Sequence, residues 1–285
     1  MRYETWTVGV RVALFSSLVL GLLGCGKAEK NLKPQLTIDL GNGLTMEFVL
    51  VQPGSFMMGT TNSSDNISLA AQPQHRVEIS KPFYLGKYEV TQEQWQSVMG
   101  NNPSRYRDIV GHPLTPPQNE AKCPVECVSW NDCQTFLGKV KAKAPGTEFC
   151  LPTEAQWEYA CRAGSSGEYC YGDGDASLGD YAWCEGNSDG RPHPVGQKKP
   201  NAWGLYDMHG NVWEWCADRV DIEDDYYANS PSRDPQGPTS GAGRVYRGGS
   251  YMFEPPWARS YSRFSGPSFD ANNINIGLRV CISIE

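Results

Sequence analysis

Short segments rich in apolar residues, in the first third of the chain, predict β-strands. Residues 46–51 and 55–59 are two such runs, and Pro53-Gly54 between them favours a β-hairpin. Residues 75–79 and 83–90 are two further strand candidates. We therefore expect a sheet in the N-terminal part of the chain.

Two helices are indicated by a capping-box pattern, in which Thr at the start of a helix is followed three positions later by Gln. Thr91 precedes the first helix, which we predict over residues 92–99 with its end near Gly100. Thr153 begins the second helix, predicted over residues 153–161.

A third helix is predicted over residues 130–143, because four apolar residues in it share one helical face. Pro145-Gly146 ends this helix. The four residues of the apolar face are Cys133, Phe136, Leu137 and Val140.

Beyond Gly164 the pattern predicts no further helix. Gly, Asp, Asn and Pro recur every few residues as far as Gly243, and many Trp and Cys lie among them. We expect this stretch to be an irregular but packed scaffold. The whole chain is thus predicted to be an α+β fold with few short helices and strands and much loop.

The composition agrees with such a fold and disfavours one class of partner. The 285 residues include 30 Gly and 20 Pro, which favour turns. Hydrophobic residues make up only 39% of the chain, and nine Trp, 14 Tyr and nine Phe compensate by supplying large apolar areas to the core. The net charge of −7 gives no electrostatic reason to bind nucleic acid, and we expect no such partner.

The N-terminus is typical of a bacterial lipoprotein signal peptide, which we assign to residues 1–24. Arg2 and Arg11 precede an apolar run over residues 12–24, which is too short to span a bilayer. The run ends in a lipobox-like Leu-Leu-Gly before Cys25, so Cys25 is the predicted lipidation site. An ordinary signal peptide in which Cys25 is incidental is the alternative.

Residues 25–43 are interpreted as the lipidated N-terminus and a tether, followed by a domain over residues 44–285. The predicted localisation is that of an exported, membrane-anchored lipoprotein, held to the membrane by its lipid. No Asp follows Cys25, which favours the outer membrane or cell surface in a Gram-negative host.

Ten cysteines are present, and nine remain if Cys25 carries lipid. Outside the cytoplasm so many cysteines indicate disulfides. Because nine is odd, at least one thiol is expected to be free or to pair between chains. The chain has no CxxC pair, which disfavours a zinc ribbon.

Seven motifs, in order along residues 44–283, together resemble the formylglycine-generating enzyme (sulfatase-modifying factor) family. They lie at residues 48–59, 87–91, 124–130, 151–160, 201–215, 247–250 and 276–280. The resemblance implies the irregular fold of that family, distantly similar to C-type lectins.

Family enzymes oxidise a cysteine of a sulfatase to formylglycine with two copper-binding cysteines placed five residues apart. The positions that the resemblance assigns to this pair hold Phe253 and Ala258, neither of which can ligate copper. We therefore expect no copper and no formylglycine-generating activity, so the chain is interpreted as a pseudoenzyme of the family.

A calcium site is implied by the match of residues 207–214 to a family loop. Asp207 and Glu214 would supply carboxylate oxygens, and Gly210 and Val212 would supply backbone carbonyls, in keeping with the preference of Ca²⁺ for oxygen ligands. The alternative is that the two carboxylates cap turns or pair with Arg. A second family calcium site is not carried over, because Trp183 stands at a ligand position.

A disulfide between Cys133 and Cys281 is also implied by the resemblance. Cys133 stands one helical turn before a family half-cystine, and Cys281 stands one residue past its partner position. Cys161 matches another family half-cystine whose partner position is Arg263, so Cys161 is a candidate for a free thiol or a new local partner.

Two functions remain open. The first is a non-catalytic binding or structural module of the cell envelope that contacts an unidentified envelope protein or glycan through loops at 101–123 and 219–245. The second is an enzyme of the same family with altered oxidative or modifying chemistry in the periplasm. A reactive group in a deep pocket near Trp213, Ser250 and Trp257 would favour the enzyme, and a filled cleft would favour binding.

Overall fold

A computed structural model describes residues 32–106, 119–220, 226–268 and 273–284. Within the chain, Lys33–Glu285 forms one compact unit. The predicted signal peptide and Cys25 lie outside the described residues, so both remain predictions. In the described part of the chain, no helix has the length and apolar character needed to cross a membrane.

The described residues form a mixed α+β fold with short elements, which confirms the predicted fold class. The strands are β1 (Gln35–Gly41), β2 (Leu44–Val51), β3 (Gly54–Met58), β4 (His75–Ile79), β5 (Phe83–Gly86), β6 (Glu148–Cys150), β7 (Trp213–Val220), β8 (Gly243–Arg247), β9 (Arg263–Pro267), β10 (Ile276–Gly277) and β11 (Cys281–Ser283). The α-helices are α1 (Asn66–Leu69), α2 (Gln92–Met99), α3 (Trp130–Lys143), α4 (Glu154–Arg162), α5 (Leu178–Tyr181) and α6 (Tyr226–Asn229).

Three sheets organise these strands. The largest has the order β1-β2-β5-β11-β6, so the last strand lies between two early ones. A second has the order β10-β7-β8-β9, and β3 pairs with β4 in the third. Helices α2 and α3 pack beside β1. Their rings Trp95 and Phe136 stack with centroids 5.0 Å apart in the core.

The predicted tether is wrong over its last residues, because β1 belongs to the domain. Ile38 and Leu40 are buried and Leu36 packs against the same core, so one face of the strand is apolar. The intervening Thr37 and Asp39 are on the opposite face, so β1 has the alternation typical of a half-buried strand, which the tether interpretation overlooked.

The two predicted strands around Pro53-Gly54 exist as β2 and β3, but the predicted hairpin between them is wrong. Strand β2 pairs with β1 on one edge and with β5 on the other. With both edges occupied, β2 has no position left for β3, which pairs with β4 instead.

The three predicted helices are confirmed. Thr91 and Thr153 accept hydrogen bonds from the backbone N–H three residues on, and the paired Gln side chains complete both capping boxes. Ser129 and Asp132 form a third capping box at the start of α3. The four residues predicted for the apolar face of α3 are all buried.

The second half of the chain is more regular than expected. Strand β7 was missed because its first four residues, Trp213 to Cys216, are all buried, so they show no polar alternation. The one-turn helices α5 and α6 were also missed. Tyr227 of α6 is buried against the core and is not part of a surface loop.

The predicted Cys133–Cys281 disulfide is not formed in the structure, which places the two residues in different core clusters. Cys133 lies in the core cluster that contains Ile282, whereas Cys281 lies in the cluster that contains Leu85. Consecutive strand residues point to opposite sheet faces. The one-residue offset of Cys281 therefore directs its thiol away from α3.

Candidate functional site

The predicted calcium loop lies just before β7 and has an irregular backbone. Asp207, Gly210 and Asn211 have positive φ angles of 55°, 84° and 62°. At Gly210 a Cβ would overlap the carbonyl oxygen of Trp183, so only glycine fits there. The loop conformation is thus fixed by close packing against a neighbouring segment.

Glu89 holds the loop from the other side, and its role was not found from the sequence. Its Oε2 accepts a 2.7 Å hydrogen bond from Asn211 Nδ2, and its Oε1 accepts a 3.0 Å bond from the Val212 N–H. Burial, followed by the nearby Asp207 and Glu214 carboxylates, raises the pKa of Glu89 well above its usual range. The available signal was its place in the motif at residues 87–91.

Glu214 is buried and pairs with Arg279, which the sequence also did not identify. Arg279 Nη2 lies 2.6 Å from Glu214 Oε1, and Arg279 Nε donates to both carboxylate oxygens. Trp157 Nε1 donates to Glu214 Oε2 at 2.6 Å. Glu214 thus has an arginine partner, as the alternative to a calcium ligand expects, whether or not a cation is also bound at the loop.

Asp207 is fully buried and only half of its carboxylate has a hydrogen-bond partner. Asp207 Oδ2 accepts a 2.7 Å hydrogen bond from the Gly196 N–H, whereas Oδ1 has none in the structure. Burial raises the pKa of Asp207 to about 6 although the Gly196 bond opposes the change. A buried carboxylate oxygen without a donor is the kind of atom that a hard cation satisfies.

The surroundings of the loop carry more negative than positive side-chain charge. Three carboxylates interact electrostatically with one another, those of Glu89, Asp207 and Glu214. Each of them also interacts with the Arg279 guanidinium. Buried charges need compensation. The residues present therefore fit a divalent cation in charge and in donor type.

Metal binding by side chains alone is not indicated. The described residues contain no group of three or more His, Cys, Asp or Glu side chains arranged to hold a metal. A cation at the loop would therefore need backbone oxygens, such as the predicted Gly210 and Val212 carbonyls, to complete its coordination.

Trp183, at a ligand position of the second family calcium site, is packed against two basic side chains. The Trp183 ring stacks on His193, with centroids 3.7 Å apart. Lys198 Nζ lies 3.8 Å from the Trp183 ring centroid on a cation–π contact. A lysine ammonium beside this ring is unfavourable for a calcium ion.

The positions assigned to the catalytic cysteines are packed with side chains. Phe253 contacts Trp213 and Trp257, with ring centroids 5.8 and 5.5 Å apart. Ala258 is buried. The Gly249 backbone packs so closely against it that a Cβ atom on residue 249 would crowd the Ala258 backbone. No thiol of the described residues stands at either position.

An aromatic cluster extends from this place to the surface. We define the aromatic surface as Phe253, Trp257, Phe264 and the adjoining Met252. Phe264 lies 5.7 Å from Trp257 between ring centroids, and Phe264 and Met252 are 47% and 46% exposed. Apolar groups that remain exposed together are typical of a contact surface rather than of a closed catalytic pocket.

A cysteine and a histidine do meet nearby, but they are not arranged for nucleophilic catalysis. Cys161 Sγ lies 3.8 Å from His209 Nε2, and His209 Nδ1 lies 2.7 Å from the Ala258 carbonyl. However, the lone pair of His209 Nε2 accepts a 3.1 Å hydrogen bond from the Cys170 backbone N–H, so it is not directed at the Cys161 thiol as a base. Cys161 is fully buried, and burial raises its thiol pKa.

A family model described as the sulfatase-modifying factor enzyme 1-like domain matches residues 40–284. Formylglycine-generating enzyme of Streptomyces coelicolor is 37% identical over 204 residues, which cover 65% of this chain and 59% of that enzyme. A protein of Paenibacillus barcinonensis named chaperone protein LppX is 29% identical over 220 residues, covering 60% of this chain and 70% of the relative.

Two solved structures are similar along nearly their whole length. Treponema denticola variable protein 1 superposes with a TM-score of 0.75 at 29% identity, and PvdO from Pseudomonas aeruginosa with 0.74 at 30%. Each comparison covers 88% of this chain and 99% of the other. With the match over residues 40–284, the motifs and the fold lead to one conclusion: this chain belongs to the sulfatase-modifying factor enzyme 1-like domain family.

Proposed function

We propose that this protein is an exported, lipid-anchored binding module of the cell envelope and does not generate formylglycine. The observation that carries the proposal is the filling of the two assigned thiolate positions by Phe253 and Ala258. Formylglycine formation in the family needs copper bound by thiolates, and neither a phenyl ring nor a methyl group can ligate copper.

The anchor is proposed at Cys25, with residues 1–24 removed on export. Acyl chains on Cys25 would hold the domain at the outer membrane or cell surface, since each buried CH₂ contributes about 0.8 kcal/mol. The support is the lipobox-like sequence at the end of a short apolar run.

The proposed partner is an envelope protein or a glycan. The relative named as a chaperone supports a protein partner. The aromatic surface is the proposed contact area, because its exposed Phe264 and Met252 adjoin rings that are held in place by Trp213. Large rigid side chains of this kind supply contact area at low entropic cost.

Calcium is proposed as a structural ion of the loop at residues 207–214, with no copper. The unpartnered Asp207 Oδ1 and the excess of buried carboxylates support one Ca²⁺ there. The ion would rigidify the segment from which β7 and its Trp213 begin.

Absence of activity is tested with purified protein, Cu(I), O₂ and a peptide containing the Cys-x-Pro-x-Arg sequence. We expect no mass loss at the peptide cysteine, because Phe253 and Ala258 stand at the two positions assigned to the copper-binding thiolates. An active formylglycine-generating enzyme run in parallel controls the assay. Formylglycine above the level without protein would contradict the proposal.

Binding is tested by the ability of the protein to slow the aggregation of chemically reduced insulin. We expect Phe264→Ser to weaken this effect at least threefold, because it removes an exposed ring of the aromatic surface. Met57→Ser is the matched control, since Met57 is 46% exposed but lies on β3. Equal activity of both variants and the wild type would exclude the aromatic surface as the contact area.

A further inference from the structure

Cys150 and Cys281 lie directly opposite each other on the antiparallel strands β6 and β11. Opposed residues of such strands have Cα atoms about 4.5–5.5 Å apart, and their side chains lie on the same face. Disulfides form at Cα separations of about 4.4–6.8 Å. The backbone therefore already has the spacing that a bond between the two sulfurs requires.

The Cys150 side chain also contacts Cys281. Cys150 Sγ donates to the Cys281 carbonyl oxygen at 3.7 Å and lies 3.4 Å from Ser283 Oγ. The interaction between the two thiol groups lowers the pKa of the Cys150 thiol to about 7, against the effect of burial. The same interaction, followed by burial, raises the pKa of Cys281 well above its usual range.

The more acidic of the two thiols, Cys150, is also the more exposed. Cys150 is partly exposed at the edge strand β6, whereas Cys281 is fully buried on the interior strand β11. An accessible thiolate attacks disulfides, and a protected neighbouring thiol then resolves the intermediate. The pair has the arrangement needed for both steps.

We propose that Cys150 and Cys281 are an oxidation site, at which a disulfide-bearing oxidant such as oxidised glutathione converts the two thiols to an intramolecular disulfide. The Cys150 thiolate attacks one sulfur of the oxidant and releases the other as a thiolate. Cys281 then loses its proton to solvent and attacks Cys150 Sγ, which releases the second oxidant thiolate. Two S–H bonds are lost, one S–S bond forms, and the oxidant disulfide is reduced to two thiols.

The bond would join the edge of the largest sheet to its C-terminal strand, across 131 positions of sequence. Only three residue pairs connect β6 and β11, so the disulfide would reinforce the attachment of the edge strand to the sheet. The proposal is independent of lipid anchoring, calcium and partner binding.

The test is peptide mapping of the full chain after incubation with oxidised glutathione and alkylation without reductant. Cleavage with trypsin and Glu-C places Cys150 in residues 149–154 and Cys281 in residues 280–285, each as the only cysteine of its peptide. We expect these two peptides to be linked and to separate on reduction. We also expect the oxidised protein to have a Tm roughly 10 °C above that of reduced protein.

Two variants sharpen the result. Cys150→Ser should lose both the linked peptide and the rise in Tm on oxidation, whereas Cys133→Ser should keep both because Cys133 faces the other side of the sheet. The proposal is overturned if both peptides are fully alkylated after oxidation, or if Cys281 is found linked to Cys133.

Discussion

Arg279 joins the C-terminal motif of the chain to Glu214 by a buried two-point ion pair. Its Nε lies 3.0 and 2.9 Å from the two carboxylate oxygens of Glu214, and its Nη1 and Nη2 donate to the Gly86 and Tyr206 carbonyls. One side chain thus holds together the segments that contain β5, the loop at residues 207–214, β7 and β10. The motif at residues 276–280 therefore serves the loop at residues 207–214, although about 60 residues separate them.

Arg279→Met is expected to lower the free energy of unfolding by about 3–5 kcal/mol, because it leaves a buried carboxylate without its partner. The change is measured by urea unfolding. Arg233→Met is the control, since Arg233 is 66% exposed and its carboxylate partners are at the surface. That variant should lose less than about 1 kcal/mol. Equal losses in both variants would mean that the Glu214 pair has no special importance.

Local signals in the sequence located the three longer helices, α2, α3 and α4. The capping boxes at Thr91 and Thr153 depend on residues three positions apart, so the sequence alone contains the whole interaction. The hairpin expected at Pro53-Gly54 failed because pairing of β2 is decided by β1 and β5, one of which lies more than 30 residues away. Sheet order is a non-local property that a turn signal cannot settle.

The sequence predicted only part of the candidate site, because contacts between distant segments are also non-local. Asp207 and Glu214 stand in one motif and could be assigned together, whereas Glu89 and Arg279 reach the loop from distant segments. The structure does not bring Cys133 and Cys281 together, because a one-residue offset in a strand reverses the face of the side chain. Such an offset is visible in the sequence only when the strand register is known.

Calcium is expected to raise the Tm of wild-type protein, and EDTA to lower it again. A ligand at a hundredfold excess over its Kd stabilises the folded state by about 2.7 kcal/mol. For a domain of this size that is a shift of roughly 5–10 °C. The shift is measured by differential scanning fluorimetry.

The informative variants for calcium are at Asp207, since Glu214→Ala would also break the pair with Arg279. Asp207→Ala should abolish the calcium-dependent shift, because it removes the carboxylate whose Oδ1 is unpartnered. Asp218→Asn, at another buried aspartate outside the loop, should keep it. A wild-type Tm that does not respond to calcium or EDTA would refute the site.

Asp218 is expected to make the protein less stable as the pH rises from about 4 to about 7. Burial, followed by the nearby Glu154 carboxylate, raises the pKa of Asp218 to about 7, whereas its value in an unfolded chain is about 4. Between these values the folded state binds the proton that the unfolded state releases. Stability from this group is therefore complete below about pH 4 and is lost as the pH passes through 7.

The measurement is the free energy of unfolding against pH for wild type and Asp218→Asn. Asparagine keeps an oxygen that can accept from the Glu154 N–H, which donates to Asp218 Oδ2 at 2.7 Å. The variant should reduce the downward slope by up to ~1.4 kcal/mol per pH unit. Asp180→Asn is the control, because the pKa of Asp180 is lowered by a hydrogen bond with Lys199, whereas that of Asp218 is raised. Parallel curves for wild type and Asp218→Asn would contradict the prediction.

Cys25→Ala is expected to move the protein from the membrane to the soluble fraction and to abolish labelling by an alkyne-tagged palmitate. The physical reason is that the apolar run at residues 12–24 is too short to span a bilayer, and the variant lacks the thiol that would carry the proposed acyl chains. Cys170→Ala is the matched control, because Cys170 belongs to the folded domain and its removal leaves the lipobox-like sequence intact. Acylation would therefore persist in the control. Wild-type protein that is processed normally but carries no label would show that Cys25 is incidental to an ordinary signal peptide.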